Sequence, residues 1–256
     1  MSNSLPLPPG WTAAAFEEID STNAEALRRA VAGERGPLWI TAQRQTKGRG
    51  RSGRSWTSAD GSIAATLLFR PDCAIAELPQ ISLVAGVAAH EAIAGALPQK
   101  AGPLCRLKWP NDVLVDRAKV SGILVESTML GTEPVVAIGI GINTGAAPEL
   151  VDRFAAGLAQ HGAAAASEEM SAMLASSLAR WLGIWRSLNE GFAAVRAAWL
   201  ARGSSVGEAM TVHAGDEHVS GRFAGLDAEG SLLLSDEAGT LRKFTFGDVA
   251  LGVPKV

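Results

Sequence analysis

The sequence predicts an α+β protein, a mixed and largely antiparallel sheet with flanking helices, followed by a small closed β-unit. Three observations carry this. From Leu104 to Asn143 short apolar runs follow one another with turn signals between them and no helix-length segment, a meander that excludes a doubly wound sheet. Pro79–Leu97 and Ser167–Leu188 instead repeat apolar residues at helical spacing. From about Val206 only short β-prone runs remain, separated by Gly- and Asp-containing turns. A chain of 256 residues, 47% hydrophobic and 19% charged, can bury a sizeable core. We expect one large domain, residues 1–205, and a small one, residues 206–256.

A proline-rich start leads into a short apolar piece, Trp11 to Ile19. Ser21-Thr22-Asn23 then opens a helix through Val31, with Thr22 and Glu25 at capping-box spacing. Leu38–Ala42 and Ser62–Phe69 read as strands, and Pro79–Leu97 as a helix with an apolar stripe of Ile81, Val84, Val87, Ala88 and Ile93. His90 on that helix is expected to be structural. Leu104–Trp109, Val113–Val115, Lys119–Ser127 and Pro134–Asn143 are the meander strands, while residues 144–165 give no assignable pattern. Ser167–Leu188 places Met170, Met173, Leu174, Leu178, Trp181, Leu182 and Trp185 on one face, and Gly191–Arg202 is a further short helix. Met210–His213, Val219–Phe223, Ser231–Leu234 and Leu241–Phe246 suggest a barrel of the SH3-like kind.

The chemistry concentrates in Gln43–Trp56. Lys47, Arg49, Arg51 and Arg54 fall within eight residues, separated by Gly48, Gly50 and Gly53, on a chain whose formal charge is −3. Such a cluster is self-repelling unless it holds an anion. Guanidinium forks match carboxylate or phosphate oxygens two at a time. The glycines also satisfy G-x-G-x-x-G, and come close to a Walker A loop. Both of those motifs need a helix after the loop, and Ser62–Phe69 reads as a strand, so both are rejected. Cys73 and Cys105 look like buried core residues, and His213 with His218 lacks partners at metal-ligand spacing. No metal site is expected. The N-terminus lacks a basic start and an apolar run, and Ile81–Leu97 is too short to span a bilayer, so a cytoplasmic protein without membrane attachment is expected.

Four blocks in series, from about residue 16 to 250, resemble the biotin–protein ligases. They are Gly48-Arg49-Gly50-Arg51-Ser52-Gly53-Arg54 with Trp56, Lys108-Trp109-Pro110-Asn111-Asp112, Lys119-Val120-Ser121-Gly122-Ile123-Leu124-Val125-Glu126, and Gly139-Ile140-Gly141-Ile142-Asn143. Ser21-Thr22-Asn23 and the C-terminal runs Gly221–Asp227 and Gly230–Leu234 fit the same pattern. The resemblance implies a class II synthetase-like catalytic domain that joins the biotin carboxylate to the α-phosphate of ATP. Biotin then passes to a lysine of a biotin carboxyl-carrier domain, such as that of acetyl-CoA carboxylase.

By the same resemblance, Ser21, Thr22, Asn23 and Gln45 hydrogen-bond the ureido end of biotin. Gly48, Arg49 and Gly50 hold its carboxylate or the α-phosphate, with Gly122 against the acid. Lys119 bridges carboxylate and phosphate. Arg51 and Arg54 retain the adenylate, Trp56 packs on adenine, and Lys108, Asn111 and Asn143 bind the nucleotide. Asp112 is a candidate for Mg²⁺ or for helping the incoming lysine lose its proton. Mg²⁺ is expected to arrive with ATP, held mostly by phosphates and water. The loop is expected to be mobile when empty and to order on the ligand.

Only about 20 residues precede Ser21-Thr22-Asn23, too few for the winged helix that many members carry, so no DNA binding is expected. A homodimer through a sheet edge stays open. The rivals are a lipoate or octanoate ligase, against which the arginine loop argues, a nucleic-acid-binding module, against which the acidic remainder of the chain argues, and a non-catalytic biotin or nucleotide sensor, which any turnover would exclude.

Overall fold

The computed structural model describes residues 7–57, 61–146, 155–164, 166–188, 191–236 and 238–252. Its larger sheet has seven strands in the order β1-β2-β3-β7-β6-β5-β4. These are β1 (Thr12–Ile19), β2 (Leu38–Gln45), β3 (Ile63–Phe69), β4 (Cys105–Lys108), β5 (Asp112–Val115), β6 (Ala118–Leu130) and β7 (Glu133–Ile142). The β1–β2 pair is parallel, because helix α1 (Thr22–Val31) carries the chain back across the sheet between them. The remaining pairs are antiparallel, including the predicted β4–β7 meander. A strand follows the arginine loop, so the strand–loop–strand reading of that region holds.

Period-two alternation splits the sheet into two faces. Leu67, Ile123, Ile138 and Ile140 point into the main core, each contributing about 2 kcal/mol on full burial. Ile40, Leu68 and Ala137 face the other way, where Ala26 and Ala30 let α1 lie close to the strands. On the main side α2 (Gln80–Ala96) is packed between the sheet and α3 (Ser167–Trp185), with α4 (Gly191–Leu200) alongside. The expected stripe is therefore too narrow: Leu83, Ala85, Ala89 and Ala92 are buried as well, as a helix enclosed on all sides requires. His90 is structural as expected, its Nε2 3.0 Å from the Cys105 carbonyl.

The C-terminal unit is a five-stranded antiparallel sheet in the order β11-β10-β9-β8-β12. Its strands are β8 (Ala209–Ala214), β9 (Glu217–Leu226), β10 (Leu232–Ser235), β11 (Leu241–Phe244) and β12 (Asp248–Leu251). The expected strand set lacked β12, whose short Asp-Val-Ala-Leu run carries little β signal. The two sheets dock through Trp199 of α4 against Phe223, ring centres 6.3 Å apart, and through the Trp109 indole N–H, which donates to the Gly230 carbonyl at 3.3 Å.

Two local expectations are corrected. The α1 cap is Ser21, whose hydroxyl accepts the Ala24 N–H, while Glu25 pairs with Arg28 and Arg29 instead of closing a capping box. Cys105 is buried, but Cys73 is half-exposed. No described helix is long and apolar enough to cross a membrane.

Candidate active site

The site lies on the α1 face of the larger sheet, where the sequence leaves the strands nearly bare. In β7 the pattern Gly139-Ile140-Gly141-Ile142 sends isoleucines into the core and glycines to the opposite face. Strand register aligns two rows there: Thr66, Gly139 and Leu124, and next to it Ala64, Gly141 and Gly122. Ala64, Gly122, Leu124, Gly139 and Gly141 of these rows line the floor of a cleft of about 1130 Å³, with Thr66 behind it. Its walls are the start of α1, the arginine loop, the ends of β4–β6 and, from the C-terminal sheet, His213 and Asp248–Leu251.

At one end the first turn of α1 hangs over the first row. Asn23 is buried, and both its amide hydrogens are used, on the Leu124 carbonyl at 3.1 Å and on the Glu126 carboxylate at 2.9 Å. Its Oδ1 lies 2.7 Å from the Thr66 hydroxyl. A side chain at Gly139 would put its Cβ 2.3 Å from that Oδ1, so the close approach requires glycine. The Thr22 N–H and hydroxyl both reach the Gln45 side-chain oxygen, Oε1, at 2.8 and 3.1 Å, and the Thr66 hydroxyl lies 2.8 Å from the Thr22 hydroxyl.

At the other end the arginine loop is folded as a hairpin. Arg49 and Ser55 form an antiparallel bridge, the Trp56 N–H donates to the Gly48 carbonyl and the Gly50 N–H to the Arg54 carbonyl. Ser52 and Gly53 make its tip at φ 55° and 72°. Each arginine is tethered. Arg49 donates to Glu126 at 3.1 Å, and Arg54 to Asp248 at 2.9 Å. Arg51 spans the Asn111 side-chain oxygen at 3.1 Å and the Gly247 carbonyl at 3.2 Å. The Trp56 ring lies flat on the second row: a Cβ at Gly141 would sit 2.3 Å from its Cε2, and one at Gly122 would sit 3.0 Å from its Cζ3.

Between these ends is Lys119. Its ammonium sits over Gly122, 5.8 Å from the Trp56 ring centre and 2.5 Å from an Asp112 oxygen. Lys108 holds the other oxygen at 3.3 Å. Burial pushes the Asp112 carboxyl up, but the two lysines outweigh it and keep the group below the ordinary carboxylate range. Asn111 fixes its own amide by donating to the Ile123 carbonyl at 2.6 Å. Asn143 is buried, donates to the Ala156 carbonyl at 3.3 Å and leaves its side-chain oxygen without a donor among the described residues.

The cleft thus brings together Ser21, Thr22, Asn23, Gln45, Arg49, Gly50, Arg51, Arg54, Trp56, Lys108, Asn111, Asp112, Lys119, Gly122 and Asn143. Of the residues given a ligand role by the resemblance, Gly48 is the one that does not line the cleft, and a Cβ there would meet the Trp56 carbonyl at 2.4 Å; Lys47, the fourth cation of the cluster, does not line it either. Three contributors escaped the sequence reading: Thr66, Glu126 and Asp248. Glu126 was visible as the end of an apolar block, and Asp248 sits on the unforeseen β12. Thr66 carried no signal beyond a strand hydroxyl.

A bare sheet floor, a polar pocket at one end and a cationic hairpin at the other define a class. Residues 15–143 match the biotin/lipoate A/B protein ligase family, and residues 206–252 match the biotin protein ligase C-terminal domain. The biotin–[acetyl-CoA-carboxylase] ligase of Paracoccus denitrificans is 40% identical over 237 residues, which are 86% of this chain and 92% of that relative. The enzyme of that name from Mycobacterium tuberculosis is 33% identical over 91% of this chain and 86% of its own. The biotin protein ligase of Aquifex aeolicus, solved in complex with biotin and ATP, superposes with a TM-score of 0.76 at 28% identity, covering 94% of this chain and 98% of its own. The chain belongs to the biotin–protein ligases.

Proposed function

We propose that this cleft activates biotin with ATP and transfers it to a lysine of the biotin carboxyl-carrier domain of acetyl-CoA carboxylase. In the first half-reaction a biotin carboxylate oxygen attacks the α-phosphorus, and pyrophosphate leaves. In the second the lysine amine attacks the acyl carbon of biotinyl-5′-AMP, an amide forms and AMP leaves. The observation that carries this reading is the place of Lys119, on one floor between the polar pocket and the arginine hairpin. Two anions must meet there, and a fixed ammonium lowers their repulsion and stabilises the charge that develops as they react.

Ser21, Thr22, Asn23 and Gln45 take the ureido end of biotin, and its chain lies along Gly122. Arg49 leaves Glu126 to hold the carboxylate or α-phosphate, backed by Gly48 and Gly50. Arg51 and Arg54 retain the adenylate, and Lys108, Asn111 and Asn143 bind the nucleotide. The Asn143 oxygen, without a donor among the described residues, supports that last role, because a buried acceptor is costly until a donor arrives. Trp56 covers the row that the acid chain needs, so it moves on binding and then packs on adenine. The division of the chain into a catalytic domain, residues 1–205, and a C-terminal domain, residues 206–256, belongs to this reading. It is supported by two sheets that share no strand.

Mg²⁺ enters with ATP in this account. Both Asp112 oxygens face lysine ammonium groups, and no described cluster of His, Cys, Asp and Glu forms a cage, so the residues present do not fit a protein-held ion. Asp112 is therefore assigned to holding Lys119, and no step runs through the metal.

The test is pyrophosphate release from Mg-ATP with biotin, with lipoate and with no acid, using Lys119→Ala as control. Release that needs biotin and fails in the variant is expected. Release with lipoate instead would overturn the substrate.

A further inference from the structure

We infer that Thr66 is a positioning residue that sets the hydrogen-bond polarity of the polar pocket and so its preference for a ureido ring. This rests on the biotin reading above. Thr66 is fully buried on β3 and is not part of the cleft wall, yet its hydroxyl touches two residues of that wall, Thr22 at 2.8 Å and Asn23 at 2.7 Å.

The direction of each proton follows from the partners. Asn23 turns its NH₂ toward the Leu124 carbonyl and the Glu126 carboxylate, both of which only accept, so its Oδ1 must be the atom facing Thr66. An amide oxygen cannot donate, and the single Thr66 proton is therefore committed to Asn23. Thr66 can then only accept from Thr22. The one Thr22 hydroxyl proton has two takers, the Thr66 hydroxyl and the Gln45 Oε1 at 3.1 Å, and both lie within the protein. Whichever takes it, Thr22 shows the cleft lone pairs alone. Gln45 is fixed in turn, because its Oε1 also accepts the Thr22 N–H, which leaves its NH₂ as the donor.

Thr22 and Gln45 consequently offer the pocket a hydroxyl acceptor and an amide donor. A cyclic urea presents the complement, an N–H and a carbonyl, on adjacent atoms. A dithiolane or a plain alkyl chain presents neither, and would leave these buried groups unpaired. A site built to hydrogen-bond its ligand rejects an analogue that lacks those groups far more strongly than an apolar pocket does. Without the Thr66 hydroxyl, Asn23 Oδ1 loses its donor and the Thr22 proton keeps a single taker, Gln45 Oε1 at 3.1 Å, so the polarity that Thr22 shows a ureido N–H is held by one bond instead of two.

The experiment measures adenylation by Thr66→Val, which keeps shape and removes the hydroxyl, and by Thr66→Ser, which keeps the hydroxyl. Acids with the ureido ring (biotin, desthiobiotin) and without it (octanoate, lipoate) are compared. Thr66→Val is expected to raise the KM for biotin and desthiobiotin by about tenfold, the loss of one buried hydrogen bond, with kcat and the KM for ATP within about twofold. Its discrimination against octanoate should narrow, and Thr66→Ser should behave as wild type. Should Thr66→Val fail to fold, Thr66→Ala carries the same comparison. An unchanged biotin KM in a folded variant would overturn the role, as would equal damage in the serine variant or parallel rises in the biotin and ATP KM. Wild-type use of lipoate in place of biotin would overturn the reading of the site itself, a separate result.

Discussion

Replacing Asp112 by asparagine tests whether that carboxylate is the anchor of the reaction centre. The substitution keeps the shape and removes a charge that meets Lys119 at 2.5 Å and Lys108 at 3.3 Å. Breaking a buried pair costs about 3–5 kcal/mol, because the surviving charge stays desolvated. Here the surviving lysine side chains are 18% and 23% exposed and recover some hydration, so the lower end, about 3 kcal/mol, is expected. For a chain of this size that is a fall of about 6–12 °C in Tm. Mg-ATP should recover part of it, since polyphosphate oxygens can take over the two ammonium groups.

The sign of the pH dependence is fixed. Asp112 has a depressed pKa in the folded state, so its contribution is fully present above the ordinary carboxylate value of 3.8 and is lost as pH falls through the lower folded value. The gap in Tm between wild type and variant should stay flat from about pH 5 to 8 and close only in acid. Calorimetry at several pH values, with and without Mg-ATP, reads all three features. A variant within about 2 °C of wild type at pH 7 would refute the anchor.

Two further outcomes follow from the geometry. Arg51→Gly removes the links to Asn111 and to the Gly247 carbonyl of the C-terminal sheet, and should let the adenylate escape. Mass spectrometry of a bystander protein should then show biotin on lysines at random, whereas adenylate retained as in wild type would contradict the role. Gly139→Ala drives a Cβ into the Asn23 amide and breaks contacts to Thr66, Leu124 and Glu126. At roughly 1 kcal/mol each, these should raise the biotin KM well over tenfold, and a KM within twofold of wild type would refute the close approach.

Much of the fold was legible because β4–β7 form a local meander, where turn signals and strand runs alternate within 40 residues of chain. The arginine hairpin was legible as a dense cluster of cations from the sequence alone. The side chains that tether it were not. Its partners Glu126 and Asp248 lie 77 and 194 residues from the arginines they hold, and no local pattern reports contacts of that range. The all-round burial of α2 was hidden for a related reason. Alanine scores as nearly neutral on any face, and only the enclosure of α2 by α3, α4 and the sheet decides that Ala85 and Ala89 are interior. Thr66 is the sharpest case: a threonine in a β-run is ordinary, and its meaning comes from the register that sets it beside Gly139 and beneath Asn23.

The central claim, that the biotin carboxylate and the α-phosphate of ATP are joined at Lys119, is tested most directly with biotin labelled with ¹⁸O in its carboxylate. With the carrier domain present, the carboxylate oxygen that bridges to phosphorus leaves with AMP when the lysine is acylated. AMP should carry one ¹⁸O, pyrophosphate should be unlabelled, and Lys119→Ala should give neither product. Label in pyrophosphate or inorganic phosphate, or unlabelled AMP alongside biotinylated carrier, would contradict the claim.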